Sequence, residues 1–521
     1  MDSRSERERP VPRCVLLGPY RVLNWLYKPL MKVMRERWDT RFVILLPPGV
    51  HHYEAEFRPN CGPDDWFLIA PEFLDLMETV PRAGTDVFAA ARSNEQRYGI
   101  SYSLDIYQQE RELAWRLVAG GARTPFRRRR PMPPAALAHA ANESFRFFED
   151  LFERHAIDLA LIWPRSGGEA VCAAVAGARG VLVTYPYTAK HKNYAYWATG
   201  AYCGGLQHRL AYEAAGECAA LPETEAAPPA RPVYLEHRKI DQRYSLLGTV
   251  KQSAAHFWHW AEFLWLDFRA GELGRTQRGN PIREARRLWS DWLYYRRFID
   301  LCEWDTARIA ARPFVFFAFQ NEPEFSVQGR CKEFNDQGAI ARQLALSLPV
   351  GVNLVIKEHA WIGARPLDFY KNLLALPNVI MADPGLRAID LIPKALATAS
   401  LAGTVTLEAA MFGKPALIFT ERSEFAFLPS VVAVHDLGEL AAILRRVTAN
   451  AEAMADPYKR SAARLKKATE MIGIEADPLF IKTSTDVAPA QVERAADLLR
   501  DLMGLHAQRV AAAGALAGRL D

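Results

Sequence analysis

Between Phe314 and Phe419 three apolar runs each end in polar residues suited to phosphate and sugar: FVFFAF before QNEPEF, LVIKEH, and LATAS before LAGTVTLEAAMFGKPALIF. In an open α/β sheet, ligands bind beyond the carboxyl ends of the strands. Gln320, Glu322, Glu324, Lys357, His359, Gly403, Thr404 and Glu408 therefore fall where one pocket could gather them. Gly403-Thr404 is expected to open a helix. Free N–H groups and a partial positive charge there suit a phosphate, glycine admits close approach, and Thr404 adds a hydroxyl. The plainer alternative is that Thr404 only caps the helix. Glu408, at i+4 on the same face, could accept from ribose hydroxyls or be a surface carboxylate. Strand alternation puts Lys357 and His359 on one side and Glu358 on the other. A cation beside an imidazole could neutralise a leaving phosphate and donate to it. Pro323 stiffens the QNEPEF loop, so Glu322 and Glu324 become fixed carboxylates, able to orient a hydroxyl or act as base or nucleophile. Glu324 is the preferred catalytic acid. Gln320 and Ser326 are the candidate sugar contacts, with Gln328 on the same edge.

The amino-terminal half offers a second set. WPRSGGEA follows a strand-like run, so Ser166, Gly167, Gly168 and Glu169 could touch an acceptor, as could Thr184, Tyr185 and Tyr187 after VLVTYP. Glu169 is the alternative catalytic carboxylate; ordinary turns are the plainer reading. The Arg127–Arg130 run could touch an acidic polymer or anionic lipid, or be a solvated loop. No DxD triplet ends a strand, and GxxxxGK[ST], GxGxxG after the first strand, GxSxG and HExxH are all missing. No metal site is expected.

The elements that must position these residues can be read from the apolar pattern. CVLLG, a basic amphipathic stretch and RFVILLPPG form a β-α-β start, and Phe67–Gly120 reads as mostly helical. IDLALIWP, SGGEAVCAAVAGARG and VLVTYP form a second β-α-β unit, which implies a parallel sheet. Ala214–Ala230 turns to Ala, Glu and Pro, as a surface linker would. Tyr234–Ala311 is rich in Trp, Tyr, Phe and Arg without a clean strand. Strands and helices then alternate from Arg312 to about Ile474, and the segment from Ala488 is helical. The expected fold is α/β, with two Rossmann-like domains facing a cleft. The expected divisions are 1–230 for the acceptor domain, 231–311 for a helical connection, 312–475 for the donor domain and 476–521 for a helical tail.

Composition bounds the classes. A chain of 521 residues is too long for one core. Half of it is hydrophobic and 24% charged, which is globular. A net charge of +5 is too small at this length for a dense nucleic-acid-binding face. The seven cysteines are widely spaced, without CxxC, so reduced thiols are expected. MDSRSERERPVPR lacks the apolar centre of a secretory signal, and no run of about 18 apolar residues stands out. The expected location is the cytoplasm, with peripheral association at the inner membrane.

Taken together, Pro323-Glu324, Asp336-Gln337, Lys357-Glu358-His359, Gly403-Thr404 with Glu408-Ala409, and Gly413-Lys414-Pro415 resemble the capsule polysaccharide biosynthesis family. That family includes retaining β-Kdo transferases of Gram-negative surface glycans. The resemblance covers about Pro313–Phe419. It departs at Ala360, where the family carries proline. It implies a GT-B fold and metal-independent transfer from a nucleotide-sugar co-substrate, CMP-Kdo in the Kdo-transferring members, to a glycan or lipid-linked glycan of capsule or lipopolysaccharide. It implies no separate cofactor. It also places Lys357, His359 and Thr404 at the donor phosphate. Two alternatives stand beside it: a CDP-polyol phosphotransferase of the same fold, and a non-catalytic glycan-binding or assembly protein.

Overall fold

The computed structural model describes residues 10–20, 23–47, 52–114, 133–189, 194–200, 205–220, 245–269, 281–359, 365–475 and 487–517. The Arg127–Arg130 run, the 221–230 part of the linker and Ala360 lie outside these residues.

The described residues contain thirteen strands: β1 (Cys14–Leu17), β2 (Arg41–Leu46), β3 (Trp66–Ile69), β4 (Leu159–Leu161), β5 (Leu182–Thr188), β6 (Tyr194–Thr199), β7 (Phe314–Ala318), β8 (Asn353–Lys357), β9 (Val379–Ala382), β10 (Ala397–Ser400), β11 (Ala416–Ile418), β12 (Val431–Ala433) and β13 (Ile474–Glu475). They form two sheets, ordered β13-β6-β5-β4-β1-β2-β3 and β12-β11-β10-β7-β8-β9. Every pairing in the second sheet is parallel. In the first, β1 to β5 are parallel, while β6 and β13 pair antiparallel. Strands of a parallel sheet are covered on both faces, so they read as unbroken apolar runs rather than alternating ones. CVLL and FVFFA are buried along nearly their whole length for this reason. Each sheet has the doubly wound order, with the chain running outward from a central strand in one direction and then in the other. The architecture is the expected GT-B-like one: two Rossmann-like sheets, a helical insertion and a carboxyl-terminal helix.

Two stretches depart from the sequence reading. Phe67–Ile69 opens the mixed, mostly helical stretch Phe67–Gly120, yet with Trp66 it forms an edge strand, WFLI, that pairs with β2. The strand Ile474–Glu475 was assigned to the donor domain, but it pairs with β6 of the first sheet. The crossing between domains therefore begins upstream of the tail. The helix Ala455–Ile472 already lies on the helix Leu206–Ala214, where Tyr212 and Ser461 hydroxyls bond at 2.8 Å and His208 reaches Thr469 at 2.6 Å. The helix Pro489–Ala517 continues across the first domain. Its Ala495 carbonyl accepts from Trp197 at 2.9 Å, and Glu493 and Asp497 pair with Arg37 at 2.8 and 2.7 Å.

Gly413, in the turn between the helix Val405–Met411 and β11, lets the start of the crossing helix pack close against it. Its φ is +71°, and an added Cβ would lie 2.7 Å from the Ala455 carbonyl oxygen. Only glycine tolerates both demands, which gives the Gly413-Lys414-Pro415 motif a structural cause.

Candidate functional site

In the second sheet the strand order reverses between β7 and β10. Loops leaving such a pair run apart and leave a crevice at the sheet edge. Gln320 follows β7 and Gly403 follows β10, so two of the sequence candidates meet at this crevice. Gln320 Oε1 accepts from Ala402 N–H at 3.0 Å, and its side-chain nitrogen is 3.6 Å from where a Cβ on Gly403 would sit. Gly403 N–H already donates to Ser400 Oγ at 3.0 Å. What Gly403 contributes is therefore close packing rather than its own donor, since a Cβ there would lie 3.3 Å from Ser400 Oγ. Thr404 stands at the N-cap of the helix Val405–Met411 but makes no side-chain cap bond, and it is exposed. The plainer reading of Thr404 as only a cap is not realised. Glu408 lies one turn on, half-buried, and its N–H bonds the Thr404 carbonyl at 3.2 Å.

The adjacent strand β8 supplies the basic pair. Its Lys357 is in register with Ala318, and Phe319 N–H donates to the Lys357 carbonyl at 2.9 Å, so the Lys357–His359 end runs alongside Gln320. Lys357 and His359 are half-buried while Glu358 points into the core, as alternation requires. Burial lowers His359 from the ordinary imidazole value to about 4; Glu358 opposes this and Lys357 adds to it. The ring is neutral at pH 7. It can donate one N–H, but it adds no charge of its own beside Lys357.

A buried brace around Arg365 lies beneath this edge. Arg365 is fully buried and pairs with Glu358 at 2.6 Å and Glu322 at 3.0 Å, and also donates to the Gln320 carbonyl at 3.2 Å. Burial works against its charge, but Glu358 and Glu322 more than offset this and hold the guanidinium above its usual value. Tyr370 donates to Glu358, and Tyr294 donates to the Arg365 carbonyl at 2.6 Å. Gln337 closes the loop: it accepts from Gln320 N–H at 2.7 Å and donates to the Gln320 carbonyl at 2.9 Å and to Glu322 at 2.6 Å. An isolated arginine between PLDF and the apolar run before it carries no local signal of these partners.

This brace corrects one assignment. Glu322 was a candidate catalytic acid, but it is buried, bonded to Gln337 and paired with Arg365, and burial raises its carboxyl. It holds the loop and does not meet solvent. Glu324, two residues on, is exposed, with its N–H donating to Gln328 at 3.0 Å. Ser326 falls in the short helix Phe325–Gln328, and its side chain lies outside the described residues. Glu169 is also reassigned. It is the third residue of a capping box, accepting from Arg165 and Ser166 N–H at 2.8 and 3.0 Å, while Ser166 accepts from its own N–H. That is a helix-start role.

The first sheet reverses order between β1 and β4, and its edge is aromatic. Trp163 stacks on Tyr185 at 5.9 Å between ring centroids and meets Tyr20 and Tyr187 edge-on at 5.4 and 6.0 Å. Arg165 lies 3.4 Å from the Tyr20 centroid. Of the residues expected here, Tyr185 and Tyr187 join this wall. Thr184 is buried and bonds the Ala198 carbonyl at 2.7 Å. Gly167 lies under Ile106, and Gly168 has open space around it. Trp163 and Arg165 are the first and third residues of the WPRSGGEA motif, where its ring and its cation were legible.

The two sheet edges meet. Arg330, beyond β7, lies 5.2 Å from the Tyr187 ring. Lys332 pairs with Asp105 of the first domain, and Asn335 donates to Gln108 at 2.6 Å. Asp105 belongs to a single π-helical turn, Tyr102–Tyr107. Such turns recur at functional sites. Among the described residues no cluster of three His, Cys, Asp or Glu side chains is placed to hold a metal ion. The six described cysteines are free.

No protein-family profile matches the sequence, and no curated protein matches it significantly. Among solved structures, the UDP-GlcNAc 2-epimerase from Neisseria meningitidis bound to UDP-GlcNAc is 11% identical, with 88% of this chain and 98% of that chain covered and a TM-score of 0.27. The glycotransferase of kitacinnamycin is 11% identical over 88% and 97%, with a TM-score of 0.25. TarM is 13% identical over 31% of this chain and 33% of its own, also at 0.25. This chain thus spans about a third of TarM. Scores this low carry no weight for function, and the fold rests on the strand topology described above.

Proposed function

We propose that this chain is a metal-independent glycosyltransferase that uses a nucleotide-activated sugar and builds bacterial surface polysaccharide, capsule or lipopolysaccharide. The observation that supports this reading is that Gln320 meets Ala402 and Gly403 at the reversal point of an all-parallel sheet, with the Lys357–His359 end of β8 alongside. The donor's phosphate sits between Thr404, Lys357 and His359, its ribose reaches Glu408, and Gln320 faces the sugar. Glu324 is the exposed acid nearest this edge in sequence and acts on the sugar. The acceptor, a glycan or lipid-linked glycan, rests on the aromatic wall of the first sheet, since rings present flat apolar faces to sugar C–H groups. Closure of the facing edges excludes water from a reactive donor. The resemblance of Pro313–Phe419 to the capsule family supports a CMP-sugar, CMP-Kdo first.

A thermal-shift series with CMP, CDP, UDP and GDP tests the site, because a ligand that binds only the folded state raises apparent stability. CMP should give the largest rise, and Lys357→Ala should abolish it. Turnover of CDP-polyols but not CMP-sugars would move the reaction to the polyol phosphotransferase reading. Binding without any turnover would favour the non-catalytic one.

A further inference from the structure

The helices Leu246–Arg269 and Pro281–Ile299 pack against one another and carry an unusual surface. The second is anchored, with Tyr294 and Phe298 buried in the donor-domain core. The first is not: every residue from Ala254 to Glu262 is exposed. Of the twenty-two large hydrophobic residues exposed on the described molecule, ten lie on these two helices, with Trp258 73% and Trp265 55% exposed. A groove of about 740 Å³ runs between Phe257, Ile282, Trp289, Leu293 and Leu367, rimmed by Arg286 and Arg297. An exposed helix surface this rich in aromatic rings marks a contact site.

Charge indicates what covers this surface. The two helices hold seven Lys and Arg against four Asp and Glu. Two of those acids, Glu284 and Asp291, are already taken by Arg287 at 2.9 and 3.2 Å. Arg286, Arg296 and Arg297 are exposed beside the tryptophans. Indole rings favour the headgroup level of a bilayer, and arginines beside them attract anionic lipid. The groove is apolar within and cationic at its mouth, which matches an acyl chain below a phosphate.

We propose that this helical pair docks the protein on a membrane surface rich in anionic phospholipid, with Trp258 and Trp265, one face of the helix at i and i+7, at headgroup depth and Arg286 and Arg297 on the lipid phosphates. This inference stands apart from the transfer reaction proposed above. It is tested by flotation of the full chain with vesicles of phosphatidylcholine alone, or of equal parts phosphatidylcholine and phosphatidylglycerol. The wild type should float with the mixed vesicles only, and acyl chains brominated near the headgroup should quench its tryptophan fluorescence. Trp258→Ala with Trp265→Ala should abolish flotation, and Arg286→Gln with Arg297→Gln should weaken it about tenfold or more, at roughly fivefold per charge. All four residues are on the outside, so circular dichroism and melting should be unchanged. The proposal is overturned by absence of flotation or by variants that float like the wild type. It is equally overturned by a wild-type dimer that the tryptophan variant makes monomeric, which would make this face a self-interface.

Discussion

His359 is the residue on which both the chemistry and the local stability turn. Burial favours its neutral form when folded, with a pKa of about 4, against about 6.5 in an unfolded chain. The stability tied to this residue is complete above pH 6.5 and is lost as pH falls towards 4, since the unfolded chain takes the proton first. The unfolding free energy of wild type, from urea titrations, should therefore fall relative to that of His359→Gln on acidification, by about 1–3 kcal/mol over that interval. The same substitution should lower transfer by about 10²-fold or more if the ring N–H meets the donor phosphate. Unchanged turnover would remove it from the site. For the carboxylates, Glu324→Gln should keep nucleotide affinity and lose turnover. Glu169→Gln should cost only about 1 kcal/mol of helix-start stability, read from melting. If Glu169→Gln alone abolishes turnover, the acid lies on the first domain.

At the scale of elements, the brace makes strand ends and site inseparable. Removing Arg365 leaves Glu322 and Glu358 buried without their cation. Arg365→Ala should therefore cost about 3–5 kcal/mol, seen as a lowered denaturant midpoint. Gly413→Ala should cost about 1–3 kcal/mol through its positive φ and the Ala455 carbonyl. Strands such as FVFFA and LVIK were legible because burial on both faces leaves an unbroken apolar run. WFLI, VVA and the two-residue β13 were not, because all three are edge strands without a fully buried apolar run, and they take their identity from the neighbour they pair with. The site was legible where chemistry coincides with a strand end, at Lys357, His359 and Gly403. It was hidden where a residue acts through distant partners: Arg365 needs Glu322, forty-three positions earlier, and Lys332 needs Asp105. Glu322 and Glu324 look alike in sequence, and only the loop's path separates a buried anchor from an exposed acid.

At the scale of the whole molecule, the link between domains is narrow at the site and broad behind it. Lys332→Ala, which removes a bond to Asp105 at the facing edges, should change the Michaelis constant for an acceptor more than melting. With a cation and polar groups at the proposed donor site, transfer should survive EDTA. Loss that Mg²⁺ or Mn²⁺ restores would sink this donor-site reading.

The crossing-back of residues 455–503 also has a consequence for synthesis. Trp197 is buried against the Ala495 carbonyl, 298 residues later, and β6 has no partner on its outer edge until β13 exists. At ribosomal speeds of about 5–20 residues per second, that separation is roughly 15–60 s. During that time the first sheet offers an open, aromatic edge to whatever is nearby. The earliest domain made is thus the last to be finished, and nascent chains halted before Ala455 should be cleaved by protease within β6 while chains released past Met503 resist.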